Sequence, residues 1–143
     1  MRSKTLSESG ERTWAVIFDT GEEAMAELKR FATDHSLTAS RFTAIGAFSE
    51  AVLGYFDWES KDYQRLAINE QVEVLALLGD IALQGRQSKV HAHVVIGMRD
   101  GSARGGHLLS AKVRPTLEVI LTESPSHLQR VFDPESGLPL IRL

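Results

Sequence analysis

What most limits the folds open to this chain is the spacing of its strand-like runs. Beyond His35, segments rich in β-branched and aromatic residues recur at 41–47, 51–57, 63–68, 71–83, 89–98, 103–109 and 116–122, the fourth broken by Gly79-Asp80. The segments between them are mostly short and polar, whereas parallel strands need a crossover of about a dozen residues or more. A mainly antiparallel sheet is therefore expected. Upstream, Arg12–Asp19 reads as a further strand with Trp14, Val16 and Phe18 on one face. One clear helix pattern follows it. Thr20 as N-cap with Glu23 three residues on makes a capping box, and Ala24, Met25, Leu28, Phe31 and Ala32 recur at helical spacing. A single helix packed on such a sheet is an α+β architecture.

The 143 residues, 43% of them hydrophobic, are enough for one domain with its own core. Residues 1–143 are read as that single unit, with the polar stretch 1–10 expected to be flexible. Sixteen basic and nineteen acidic residues leave a net charge of −3, which opposes a sequence-independent affinity for phosphate backbones. The chain has no cysteine, which excludes disulfides, thiolate metal sites and a cysteine nucleophile. No apolar run approaches the roughly 18 residues of a membrane helix, and residues 1–10 carry no signal-peptide core, so the expected address is the cytoplasm. Phosphate loops of Walker or Rossmann type and the G-x-S-x-G elbow are also absent from the sequence.

Three of the five histidines, His91, His93 and His107, fall within seventeen residues. In the strand reading of K-V-H-A-H-V-V-I-G-M, alternation sends His91, His93, Val95 and Gly97 to one face and Val90, Ala92, Val94, Ile96 and Met98 to the apolar one. The third histidine is placed by turn geometry. If Arg99-Asp100-Gly101 is a three-residue hairpin loop with Gly101 in the left-handed region, Gly97 pairs with Ala103, Val95 with Gly105, and His93 with His107. Partners directly opposite share a face. A two-residue Asp-Gly turn would instead set His107 opposite Val94 and turn it inward. In the three-residue register, three imidazoles meet on a face flanked by Gly97, Ala103, Gly105 and Gly106, which are expected to leave it open. Three imidazoles with a free position suit a catalytic zinc ion; iron, nickel or copper also accept imidazole, and a fourth protein ligand would make the site structural. His35, near the end of the helix, and His127, in the S-P-S-H-L loop, are read as surface residues.

The run V-H-A-H-V-V-I-G-M-R-D-G-S-A-R-G-G-H-L (residues 90–108) resembles the signature of the plants-and-prokaryotes-conserved (PPC) domain. Three further blocks are similar to that family in the same order: A-I-G-A-F-S-E-A-V-L-G-Y-F, E-V-L-A-L-L-G-D-I and V-R-P-T-L-E-V-I-L-T-E. The resemblance implies an α+β fold, assembly as a homotrimer and, in prokaryotic members, a metal usually taken as zinc, held by the residues matching His91, His93 and His107. It also brings a DNA-binding label, because plant members place the domain beside AT-hooks. This chain has no R-G-R-P core; its nearest approach is Gly85-Arg86-Gln87.

Three functions compete on these residues. The first is a metal-binding trimer acting on a small molecule, with Glu73 and Glu118 as candidate acid/base or supporting carboxylates; whether it is an enzyme stays open. The second is a DNA-binding or regulatory module using Arg86, Lys89, Arg99 and Arg104. The third is a cupin-like metalloprotein, which H-A-H after Gly85 suits but the missing glutamate beyond His93 does not. The apolar tail, residues 131–143, is expected to pack on its own sheet rather than on a neighbour.

Overall fold

The computed structural model describes residues 1–7 and 10–143. Its elements run β1 (Arg2–Ser7), β2 (Arg12–Asp19), α1 (Ala24–Asp34), β3 (Ala39–Asp57), β4 (Asp62–Ile68), β5 (Val72–Gln84), β6 (Gln87–Gly97), β7 (Ala103–Glu123), β8 (Gln129–Asp133) and β9 (Leu138–Arg142). The sheet order is β1-β2-β7-β3-β5-β8-β9, with β4 on β3 and β6 bridging β5 and β7. The pairings β3–β5, β5–β6, β6–β7 and β7–β3 thus close a ring. Nearly all ladders are antiparallel; β8 runs parallel to β5 over Leu83↔Gln129 and Gln84↔Arg130. This is the α+β class expected.

Several boundaries differ from the sequence reading. Segments 41–47 and 51–57 form one strand, β3, and 103–109 and 116–122 form another, β7. Register shifts between Gly46 and Leu53 let these long strands bend without ending. Gly79-Asp80 does not interrupt β5. Gly79 is a point of close approach, where an added Cβ would run into the Phe42 ring and lie 2.6 Å from the His91 carbonyl oxygen. The polar start, expected to be flexible, supplies β1, which pairs with β2 from Arg2↔Ile17 onward. Residues 8 and 9 of that stretch lie outside the described residues.

The helix begins at Ala24 and its cap is Glu23, not Thr20. Residues 20–22 are drawn onto β7 instead: the Gly21 amide donates to the Val113 carbonyl (2.9 Å), the Val113 amide to the Glu22 carbonyl (3.0 Å), and the Thr20 hydroxyl to the Pro115 carbonyl (2.9 Å). Glu23 then serves two elements. One carboxylate oxygen accepts from the Ala26 amide at 2.6 Å, satisfying a first-turn donor, and the other from the Ala111 amide of β7 at 2.8 Å.

The core lies between α1 and the inner sheet face. Leu28 and Phe31 of the helix are fully buried against Val16, Phe18, Ile96, Leu117 and Val119, and Ala92 and Val94 of β6 point the same way. The opposite face is also apolar but uncovered in the single chain: Ile45, Leu75, Leu78 and Ile120 are 61%, 54%, 57% and 48% exposed. The tail packs within its own chain, as the β8–β9 hairpin beside β5. Gly79→Ala should lower unfolding stability by ~1–3 kcal/mol, the usual cost of over-packing; an unchanged urea midpoint would show that Phe42 has room to move.

Candidate metal centre

The bend between β6 and β7 sets the geometry. The Met98 amide donates to the Ser102 carbonyl (2.8 Å) and the Gly101 amide to the Met98 carbonyl (3.0 Å), which closes a three-residue loop over Arg99, Asp100 and Gly101. Gly101 takes φ +84°, a conformation open to glycine at no steric cost. Asp100 holds the exit by accepting from the Ser102 amide at 2.9 Å and hydroxyl at 2.6 Å. The ladder then runs Gly97↔Ala103, Val95↔Gly105, His93↔His107, the register expected of an odd-numbered loop.

His91, His93 and His107 consequently converge. Their ring centroids lie 5.0, 5.0 and 5.3 Å apart, and one ring nitrogen from each falls within 4.8 Å of the others. The Nε2 atoms of His91 and His93 are 3.1 Å apart. Nitrogens bound at about 2.0–2.1 Å around a tetrahedral zinc ion sit about 3.3 Å from each other, so this pair is spaced as two ligands would be. His107 Nδ1 is buried without a hydrogen-bond partner. A buried ring nitrogen left unpaired is costly, and each of the three rings offers one nitrogen to the common cluster. The donor set therefore fits a divalent transition metal.

The walls differ from expectation. Gly97 lies under Leu75, whose side chain would be 3.2 Å from an added Cβ, and a Cβ added at Gly106 would lie 2.8 Å from the Gly54 carbonyl oxygen. These glycines let strands and side chains approach closely rather than clearing space above the histidines. Gly54 sits opposite His107, and over it leans Tyr63, whose ring centroid is 4.7 Å from that of His107 and tilted by 32°. Tyr63 was not singled out by its position in the sequence.

Burial lowers the pKa of His107 to about 4, and the two other imidazoles and Lys89 add to that effect. His93 is lowered as well, first by burial and then by His91. The carboxylate nearest the triad is neither Glu73 nor Glu118. Glu73 is exposed opposite Gly97, four residues along β6 from His93, and Glu118 is exposed opposite Ile45 and Ile17; neither joins the cluster. The carboxylate beside the triad is Asp80. It pairs with His91 across β5–β6, its Oδ2 lies 3.5 Å from His91 Nδ1, and its Oδ1 accepts from Arg130. Burial would raise its pKa, but contact with His91 and Arg130 outweighs that and holds it below the usual carboxylate range.

The remaining candidates lie elsewhere. His35 caps α1 and stacks on Phe31 at 4.0 Å, and His127 meets the Thr38 hydroxyl at 2.8 Å. Of the basic residues, Arg86 and Lys89 sit at one end of β6, while Arg99 and Arg104 sit at the other beside Glu70 and Asp100. Within one chain they form no common patch.

The Plants and Prokaryotes Conserved (PCC, or PPC) domain model matches residues 5–125. The chain belongs to this family. The cupin-like reading gives way to it. Among solved structures, a metal-containing protein from Archaeoglobus fulgidus is 32% identical, with 92% of this chain and 93% of that one covered and a TM-score of 0.84. A plant- and prokaryote-conserved (PPC) protein from Pyrococcus horikoshii is 26% identical over 99% of this chain and 95% of its own, with a TM-score of 0.86. A candidate DNA-binding protein from Bacteroides thetaiotaomicron is 25% identical over 98% and 96%, with a TM-score of 0.88. A search of curated proteins finds no match. No helix among the described residues is long and apolar enough to cross a membrane.

The depressed pKa of His107 makes metal-free protein sensitive to acid. An unfolded imidazole titrates near 6.5, so between that pH and the folded value of about 4 the unfolded state binds a proton the folded state refuses. Stability should fall as pH drops through this window and level off below it. Urea midpoints of chelator-treated protein should fall more steeply for the native chain than for His107→Gln; parallel curves would contradict the burial of a neutral ring.

Proposed function

We propose that this PPC-domain protein binds a divalent transition metal, zinc first among them, through His91, His93 and His107, and presents it to a small-molecule ligand. The observation that carries the reading is the convergence of three imidazoles on one face, with the buried Nδ1 of His107 unpartnered. The relative from Archaeoglobus fulgidus, described as metal-containing, supports it. A zinc ion held by three imidazoles supplies a Lewis acid that polarises a carbonyl or lowers the pKa of bound water to about 7. The protein's own part is to hold the three rings aligned and to keep His93 and His107 neutral. Burial does the latter, since it disfavours their protonation. The hairpin register does the former.

The uncovered apolar face is proposed as the contact between copies of the chain in a homotrimer. Ile45, Leu75, Leu78, Val95 and Ile120 are large apolar side chains left exposed there, the kind of surface that marks a contact between chains, and a symmetric assembly would bury it three times over. A DNA-binding reading follows the description of the Bacteroides thetaiotaomicron relative. It is the weaker one here, because the basic residues are divided between the two ends of β6 and the net charge is −3.

Elemental analysis of protein purified without nickel resin should find about one zinc per chain, and His93→Ala should abolish it. Absence of any transition metal, or full retention in His93→Ala, would overturn the reading. Sedimentation of the native protein at micromolar concentration should give a species of three chains, and Leu78→Asp should dissociate it; a native monomer would refute the assembly.

A further inference from the structure

We infer that Arg130 is a positioning residue for the histidine cluster: from the C-terminal hairpin it holds Asp80 against the Nδ1 edge of His91. The inference rests on the metal reading above.

The arrangement begins in the sheet. The parallel pairing of β8 with β5 sets Arg130 opposite Gln84, and Asp80 lies four residues along β5 on the same face. Asp80 is in turn opposite His91. The Arg130 side chain is only 7% exposed, while those of Asp80 and His91 are 33% and 36% exposed, so Arg130 is the most deeply placed member of the chain Arg130–Asp80–His91. A buried cation is costly unless it is paired. Arg130 donates to Asp80 Oδ1 through Nη2 and to the Pro139 carbonyl through Nη1 at 3.1 Å, while its Nε is buried without a partner, so the pairing with Asp80 carries most of that compensation.

Asp80 Oδ1 is then committed to Arg130, and Oδ2 is left 3.5 Å from His91 Nδ1, a distance that a small approach of the ring turns into a hydrogen bond. The Nε2 atom of His91 is left facing His93. Asp80 therefore acts on the ring edge away from the cluster, where it selects the tautomer that leaves Nε2 free to ligate. Arg130 in turn fixes Asp80 in that place, so the loss of either side chain loosens the orientation of the His91 ring.

The test uses full-length protein stripped with chelator and reloaded with Zn2+ or Co2+. Asp80→Asn should weaken Zn2+ binding by about 10–100-fold, the usual effect of losing a carboxylate behind a ligating histidine, with the far-UV circular dichroism unchanged. Arg130→Gln should weaken Zn2+ binding in the same direction as Asp80→Asn, and Arg130→Lys should return it toward the native value. Zn2+ affinity within twofold of native in either Asp80→Asn or Arg130→Gln would overturn the inference while leaving the metal reading intact. A native chain that takes up neither ion would overturn both.

Discussion

A single backbone conformation decides whether the three histidines meet at all. Gly101, in the left-handed region, lets β6 turn into β7 over three residues, and that odd number sets His93 opposite His107. With two residues at the tip, His107 would face the core among Val94 and Ile96, because a one-residue slip exchanges the two faces of a strand. The inner face of β6 is apolar at Ala92, Val94 and Ile96, all buried, and this enforces the register from the other side. The hydrophobic effect and the turn thus specify the same pairing, and the histidines are brought together on the face that packing leaves over.

The site is not confined to that hairpin. Tyr63 of β4 reaches it across Gly54 of β3, and Asp80 of β5 reaches it from the opposite ladder, itself held by Arg130 of β8. These contributions come from strands on both sides of the ring formed by β3, β5, β6 and β7. Such a ring resists local opening more than a free hairpin would, since each strand is paired along both edges. It is a suitable frame for imidazoles that must hold their relative positions when a ligand exchanges.

How much of this is legible in the sequence depends on whether the deciding contact is local. The triad is legible because two short-range rules, alternation along a strand and the glycine at a hairpin tip, act within seventeen residues. The start of α1 is not, because Gly21 and Glu22 are captured by Val113, more than ninety residues away. Asp80 lies between these cases. The two-residue bend at Gly85-Arg86 sets Gln84 opposite Gln87, and counting back from it puts Asp80 opposite His91, so the same reasoning applied one hairpin earlier would have found it. Glu73 and Glu118 are outward strand residues kept from the histidines by distance along the sheet rather than by face: Glu73 lies opposite Gly97, four residues along β6 from His93, and Glu118 opposite Ile45 and Ile17. Arg130 had no local signal, since it depends on a parallel pairing across the chain.

The central claim is that three imidazoles of one chain hold an ion with a position left free. Zinc K-edge X-ray absorption on the native protein tests it most directly. The account predicts about three imidazole nitrogens at about 2.0–2.1 Å, with remaining scatterers that are light, exchangeable atoms replaced on adding a competing anion. A shell with fewer than three imidazoles, or one closed by a protein carboxylate and indifferent to added anion, would contradict it.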